Sequence, residues 1–238
     1  MRRALVAAAV ILVLGIGGDL QLGAAASLPV AAQGLTPYRA CTLTATPSST
    51  TVVTDSTVRQ GSATSNFGTV TTLIVSSGSG TNQRPYVRFD LTLCRPVIPA
   101  TAIVRGAVLR MYVTGLTAVC RTIDIFDAPS AWTETGLTWN NQPFGTTINN
   151  PASGTRTDSF DVGTASGCEN AVANTYVTGA DVTTDVASFV SGSLTNAGWM
   201  LRDDVEDSST VRKTTFASKE AAVVIQAPQL VVTWVAVP

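Results

Sequence analysis

No histidine occurs among the 238 residues. Ser-His-Asp and Cys-His nucleophilic arrangements therefore cannot be assembled, and a histidine-ligated metal is ruled out with them. Arginines, carboxylates and aromatic rings remain, and their placement suits recognition. Arg88, Arg110 and Arg202, with Lys219 beside a strand end, are spaced as outward residues of extended segments, and Tyr86 and Tyr112 alternate into line with the first two. A guanidinium fork matches a sugar carboxylate, and a tyrosine ring can stack on a pyranose. These six are the candidate ligand-binding residues, and a uronate-containing polysaccharide is the partner they would suit. The plainer reading is cross-strand ion pairing, for instance Arg88 with Asp90.

The acids are less telling. A glycoside-cleaving pair needs two carboxyls at a set separation, and Glu134, Glu169, Glu206 and Glu220 lie in no recognisable catalytic motif. No catalytic residue is assigned. Asp203, Asp204, Glu206 and Asp207 crowd a loop with Ser208 and Ser209. Calcium takes about six to eight oxygen ligands, so Asp203, Asp204 and Asp207 are calcium candidates, although the spacing is not that of an EF-hand. A solvated turn is the competing reading. No other cofactor is expected.

Trp132 and Trp139 stand in the most conspicuous segment, which ends Asn140-Asn141-Gln142-Pro143. They read either as sugar-stacking platforms or as core residues beside a turn held by side-chain amides, and the second is preferred.

The elements that must carry these residues follow from periodicity. In 85–91, Val87, Phe89 and Leu91 oppose Tyr86, Arg88 and Asp90; in 107–113, Leu109, Met111 and Val113 oppose Val108, Arg110 and Tyr112. Further strands are expected over 71–76, 122–126, 156–162, 175–181, 198–203, 212–218 and 230–235. One apolar face per strand implies two sheets covering each other. Val182, Val186, Phe189 and Val190 instead follow helical spacing. One short helix is predicted over 181–192, capped by Asp181 or Thr183 and ended by Gly192.

The beginning of the chain reads as an export signal: Arg2 and Arg3, the apolar run Ala4–Ile16, then Gly23-Ala24-Ala25-Ala26. That run is shorter than the ~20 residues a spanning helix needs. Residues 1–26 are assigned as a signal peptide, 27–49 as a loosely structured lead-in and 50–238 as one sandwich domain. The mature protein is expected to be extracellular, monomeric and free of the membrane. In that oxidising setting Cys41, Cys94, Cys120 and Cys168 read as two disulfides. Three pairings exist, and Cys41–Cys94 with Cys120–Cys168 is favoured because each ties one neighbourhood together. A formal charge of −1 with no basic cluster argues against a nucleic-acid partner.

Five blocks occur in the order of a known family: Ser56–Gly61 with Ser65–Gly68; Tyr86–Leu91; Ala131–Glu134 with Leu137–Pro143; Asp181–Thr183 leading to Asn196–Arg202; and Phe216–Glu220 with Pro228–Val232. Together they resemble the DNRLRE domain, which is classed with the family-96 carbohydrate-binding modules, over about residues 50–236. The resemblance implies a jelly-roll-like β-sandwich, and some relatives bind acidic polysaccharides such as alginate. By analogy with lectin-like sandwiches, Asp55 beside the first block is a further calcium candidate. Phe189 replaces the usual helix tryptophan, the cysteines are additions, and the expectation is of a lone module without an attached enzyme. The expected function is non-catalytic binding of an extracellular polysaccharide; the alternative is a structural or cell-surface interaction protein.

Overall fold

The structure, a computed structural model, describes residues 38–46 and 49–237. The assigned signal peptide and residues 27–37 of the lead-in lie outside the described residues. Thirteen strands and one helix follow in order: β1 (Tyr38–Thr44), β2 (Val53–Arg59), β3 (Thr72–Ser77), β4 (Gln83–Phe89), β5 (Ile103–Arg110), β6 (Tyr112–Gly115), β7 (Arg121–Asp127), β8 (Asp158–Val162), β9 (Thr175–Tyr176), β10 (Ala180–Asp181), α1 (Thr183–Ser191), β11 (Trp199–Asp203), β12 (Arg212–Ala217) and β13 (Gln229–Val235). The small sheet runs β1-β13-β5-β10; the large one runs β8-β7-β11-β4-β3-β12-β6-β9, with β2 also paired to β4. All these pairings are antiparallel. The protein is an all-β sandwich with one helix.

Alternation accounts for the layer between the sheets. Leu43, Leu109, Leu230, Val232 and Trp234 of the small sheet meet Val75, Val87, Phe89, Ile125, Leu201 and Phe216 of the large one. Burying each such side chain contributes about 1.5–3 kcal/mol. Helix α1 adds Val186 and Phe189 to this layer. Asp181 Oδ1 accepts from the Thr183 N–H, and Gly192 closes the helix at φ 77°. Cys41–Cys94 and Cys120–Cys168 are the disulfides, with Cα separations of 5.7 and 5.5 Å. No helix among the described residues is long and apolar enough to cross a membrane.

Three expectations are corrected. First, 107–113 is not one strand. Buried Met111 sits in the inter-sheet layer as a corner, so β5 ends in the small sheet and β6 begins in the large one. Residues 175–181 turn the same corner as β9 and β10. There Gly179 holds φ +105°, and a Cβ would lie 2.4 Å from Val108 Cγ1, so only glycine fits. Second, the lead-in is not loose at 38–44: β1 pairs with β13 along all seven residues and is tied to Cys94 through Cys41.

Third, the large sheet has no wet outer face where β4, β7 and β11 lie. Tyr86, Phe126 and Met200 face away from the inter-sheet layer and pack beneath Trp132, Leu137 and Trp139, with Phe144 and Ile148 joining them. The segment between β7 and β8 thus forms a third layer, and every residue of β11 is buried. Period two assigns residues to sides; it does not say which sides meet water.

Candidate functional site

The structure does not bring the six candidate ligand residues onto one face. Arg202 is 1% exposed. It donates to the carbonyls of Asp203, Asp204 and Pro151 at 2.6, 3.0 and 2.7 Å, and lies 3.7 Å from Asp124. Tyr86 is buried too, its hydroxyl 3.1 Å from Gln142 Oε1, and burial pushes its phenol up. Arg88 is half-buried against Trp132, 5.6 Å from the ring centroid. Lys219 is held by Glu134 at 2.7 Å and Glu220 at 3.6 Å. The arginine row is a correction of geometry: its expected outer surface is a second core.

That second core has its own polar staple, which sequence reasoning missed. Fully buried Arg84 grips Glu206 through Nε and Nη2, both at 2.7 Å, and donates to the carbonyl of Thr147 at 2.7 Å. Gln142 accepts from Tyr86 and donates to the carbonyl of Trp139. Trp132 and Trp139 are 6% and 3% exposed, so both are core residues. The preferred reading of the Trp132–Pro143 segment stands, including its amide-held turn: Asn141 accepts from the Thr138 N–H and donates to the carbonyl of Gly136.

Arg110 and Tyr112 fare differently. They flank the Met111 corner and remain partly accessible. The Arg110 guanidinium lies 4.9 Å from the centroid of the Tyr176 ring, which meets Tyr112 edge-on at 5.2 Å. The Tyr112 hydroxyl donates to the Asn174 carbonyl at 2.8 Å; that of Tyr176 reaches the carbonyls of Ile225 and Ala227 at 2.6 and 2.8 Å. Burial raises the Tyr176 phenol to about 12. Both rings are thus fixed in place. Among the described residues no carboxylate pairs with Arg110. Tyr176 lay within an expected strand, but only its neighbour across the sheet, Tyr112, marks it as part of a site.

The calcium candidates separate. Arg121 holds both Asp203 and Asp204, and Asp207 accepts from the Gly80 N–H. Asp55 joins Glu134 and Glu220, with carboxylate oxygens within 4.8 Å of one another. Lys219 already supplies a cation there, and its N–H donates to Asp55 at 2.9 Å. Burial first, then the charge of Glu220, holds Asp55 well above the usual carboxylate range. A dication would have to displace the ammonium, so the donor set fits the lysine better than calcium.

A cleft of about 560 Å³ opens where the third layer meets β7, β8 and the start of α1, with Phe144, Arg156, Asp127, Asp158, Asp181 and Asp185 in its wall. Asp185 accepts from Trp199 Nε1 at 2.8 Å and from the Thr157 hydroxyl at 2.7 Å. Burial, with the Asp185 charge, raises the Asp127 carboxyl to about 6. No local spacing in the sequence links Asp127, Asp158 and the Asp181–Asp185 pair, which come from β7, β8 and the junction of β10 with α1.

The model of carbohydrate-binding module family 96 matches residues 46–234, most of the chain. The chain belongs to that family. No curated protein matches it. A family-96 module has carbohydrate as its general partner, and modules of this kind are as a class non-catalytic. Two disulfides fit an extracellular setting for this module.

Proposed function

We propose that this module is exported, acts as a monomer without catalysis of its own, and binds a uronate-containing extracellular polysaccharide at the Arg110 corner. The observation that carries this reading is an arginine with no acidic partner among the described residues, stacked on one of two anchored tyrosines, in a family-96 module. Its fork is available to a sugar carboxylate, and the rings offer a prepaid stacking surface whose rotamers need no further ordering. Arg88, Arg202 and Lys219 have other partners and are left out of the site.

Affinity electrophoresis through alginate, pectate and a neutral glucan tests the reading. Retardation by the two acidic polymers, weaker at high salt and lost in Arg110→Ala, is the expected result. Migration unaffected by all three, or retardation that survives Arg110→Ala, overturns it. Capture of protein instead of sugar from a cell-wall extract would favour the structural alternative.

A further inference from the structure

The cleft beside α1 has the opposite charge to the Arg110 corner. Four carboxylates stand against one guanidinium, and Arg156 is itself drawn towards buried Asp124 at 3.6 Å. Hydrogen bonds from the described residues engage one oxygen only of Asp158, Asp181 and Asp185. Asp127 Oδ1 is buried with no donor among the described residues. A buried carboxylate oxygen left so is costly, and a cation beside the carboxylate would offset part of that cost.

Phe126 and Phe144 add aromatic surface to the cleft lining. Phe144 packs edge-on against Phe126 at 6.1 Å, and its carbonyl accepts from Asn150 Nδ2 at 2.7 Å, which fixes the ring-bearing segment. An aromatic wall beside convergent acceptors suits a pyranose, which presents an apolar face and a polar rim. A uronate would bring a fifth carboxylate among four. An ammonium brings three donors and the missing countercharge.

We propose that this cleft is a second sugar site, taking a polysaccharide with free amino groups, whose ammonium meets Asp127 and whose ring lies on Phe144. It goes beyond the Arg110 reading and shares with it only the family's affinity for carbohydrate. The charged groups facing Asp127 are Asp158, Asp181, Asp185 and Arg156.

Calorimetric titration with a glucosamine hexasaccharide and its fully N-acetylated counterpart, at near-neutral pH where the Asp127 carboxyl is ionised, is the test. The amino form should bind about tenfold more tightly, the usual worth of one charge-assisted hydrogen bond. Asp127→Asn should erase that preference, whereas Arg110→Ala should leave it intact. Arg156→Gln changes an exposed side chain and covers the case in which Asp127→Asn does not fold. It should tighten the amino oligomer by about threefold. Equal binding of the two oligomers, heat from neither, a preference that survives Asp127→Asn, or no gain in Arg156→Gln overturns the proposal. Loss of uronate binding in Arg110→Ala with the amino preference kept would show that the two sites stand separately.

Discussion

The covered side of the large sheet and the Met111 corner both place arginines beside aromatic rings, yet they use them differently. Under the third layer, Arg84 lies 4.7 Å from Trp139 and is saturated by Glu206, Gln142 and loop carbonyls. At the corner, Arg110 lies at nearly the same distance from Tyr176 and pairs with no acid among the described residues. Stacking on a ring therefore does not mark a binding arginine. The discriminating feature is whether the fork's donors are already engaged, because a buried, saturated guanidinium has nothing left to offer a ligand.

The largest effect that sharpens this contrast is expected from Glu206→Ala. It strands the Arg84 charge beneath the third layer and should lower stability by about 3–5 kcal/mol in denaturant unfolding. Arg110→Ala should instead change stability by no more than about 0.5 kcal/mol. Equal losses in the two variants would break the distinction. Arg110→Ala should show itself in affinity, weakening uronate binding about tenfold by titration. Tyr176→Phe removes a hydroxyl whose one proton is shared between two backbone carbonyls, while keeping the ring. About 0.5–1.5 kcal/mol of stability should go with it, and uronate affinity should fall less than in Arg110→Ala.

The smallest effect is on pH dependence. Asp127 has its carboxyl raised from 3.8 to about 6, burial being the main cause. A raised value means that its stabilising contribution is full below pH 3.8 and is lost as pH climbs through about 6. Thermal unfolding of the parent should therefore decline relative to Asp127→Asn across that window. Parallel curves would remove the titration from Asp127.

Much of the sandwich was legible because Val87, Phe89, Leu109 and Leu230 report the inter-sheet layer through simple alternation. The third layer was not, because Tyr86, Phe126 and Met200 occupy the outward phase and only their apolar character hints that something covers them. Arg202 misled for a related reason: alternation placed it correctly, but water was assumed on its side. The Met111 corner preserves period two through a change of sheet, since Leu109, Met111 and Val113 are all buried, so alternation shows no break there. The disulfide pairing was anticipated from neighbourhood alone, whereas the cleft depends on Asp127, Asp158 and Asp185 converging from three elements. The family motifs report the fold blocks more directly than the ligand, since their tryptophans are core residues.

The register of β1 on β13 has a mechanical meaning. Tyr38 faces Val235, so the chain enters and leaves the sandwich on adjacent strands at one end of the small sheet. Tension applied between those two points would open the pairs of Tyr38, Arg39 and Ala40 one after another, as a zipper opens. At Cys41 the pull passes to the covalent link with Cys94. Past those three rungs β1 cannot be drawn off the sandwich without pulling on Cys94.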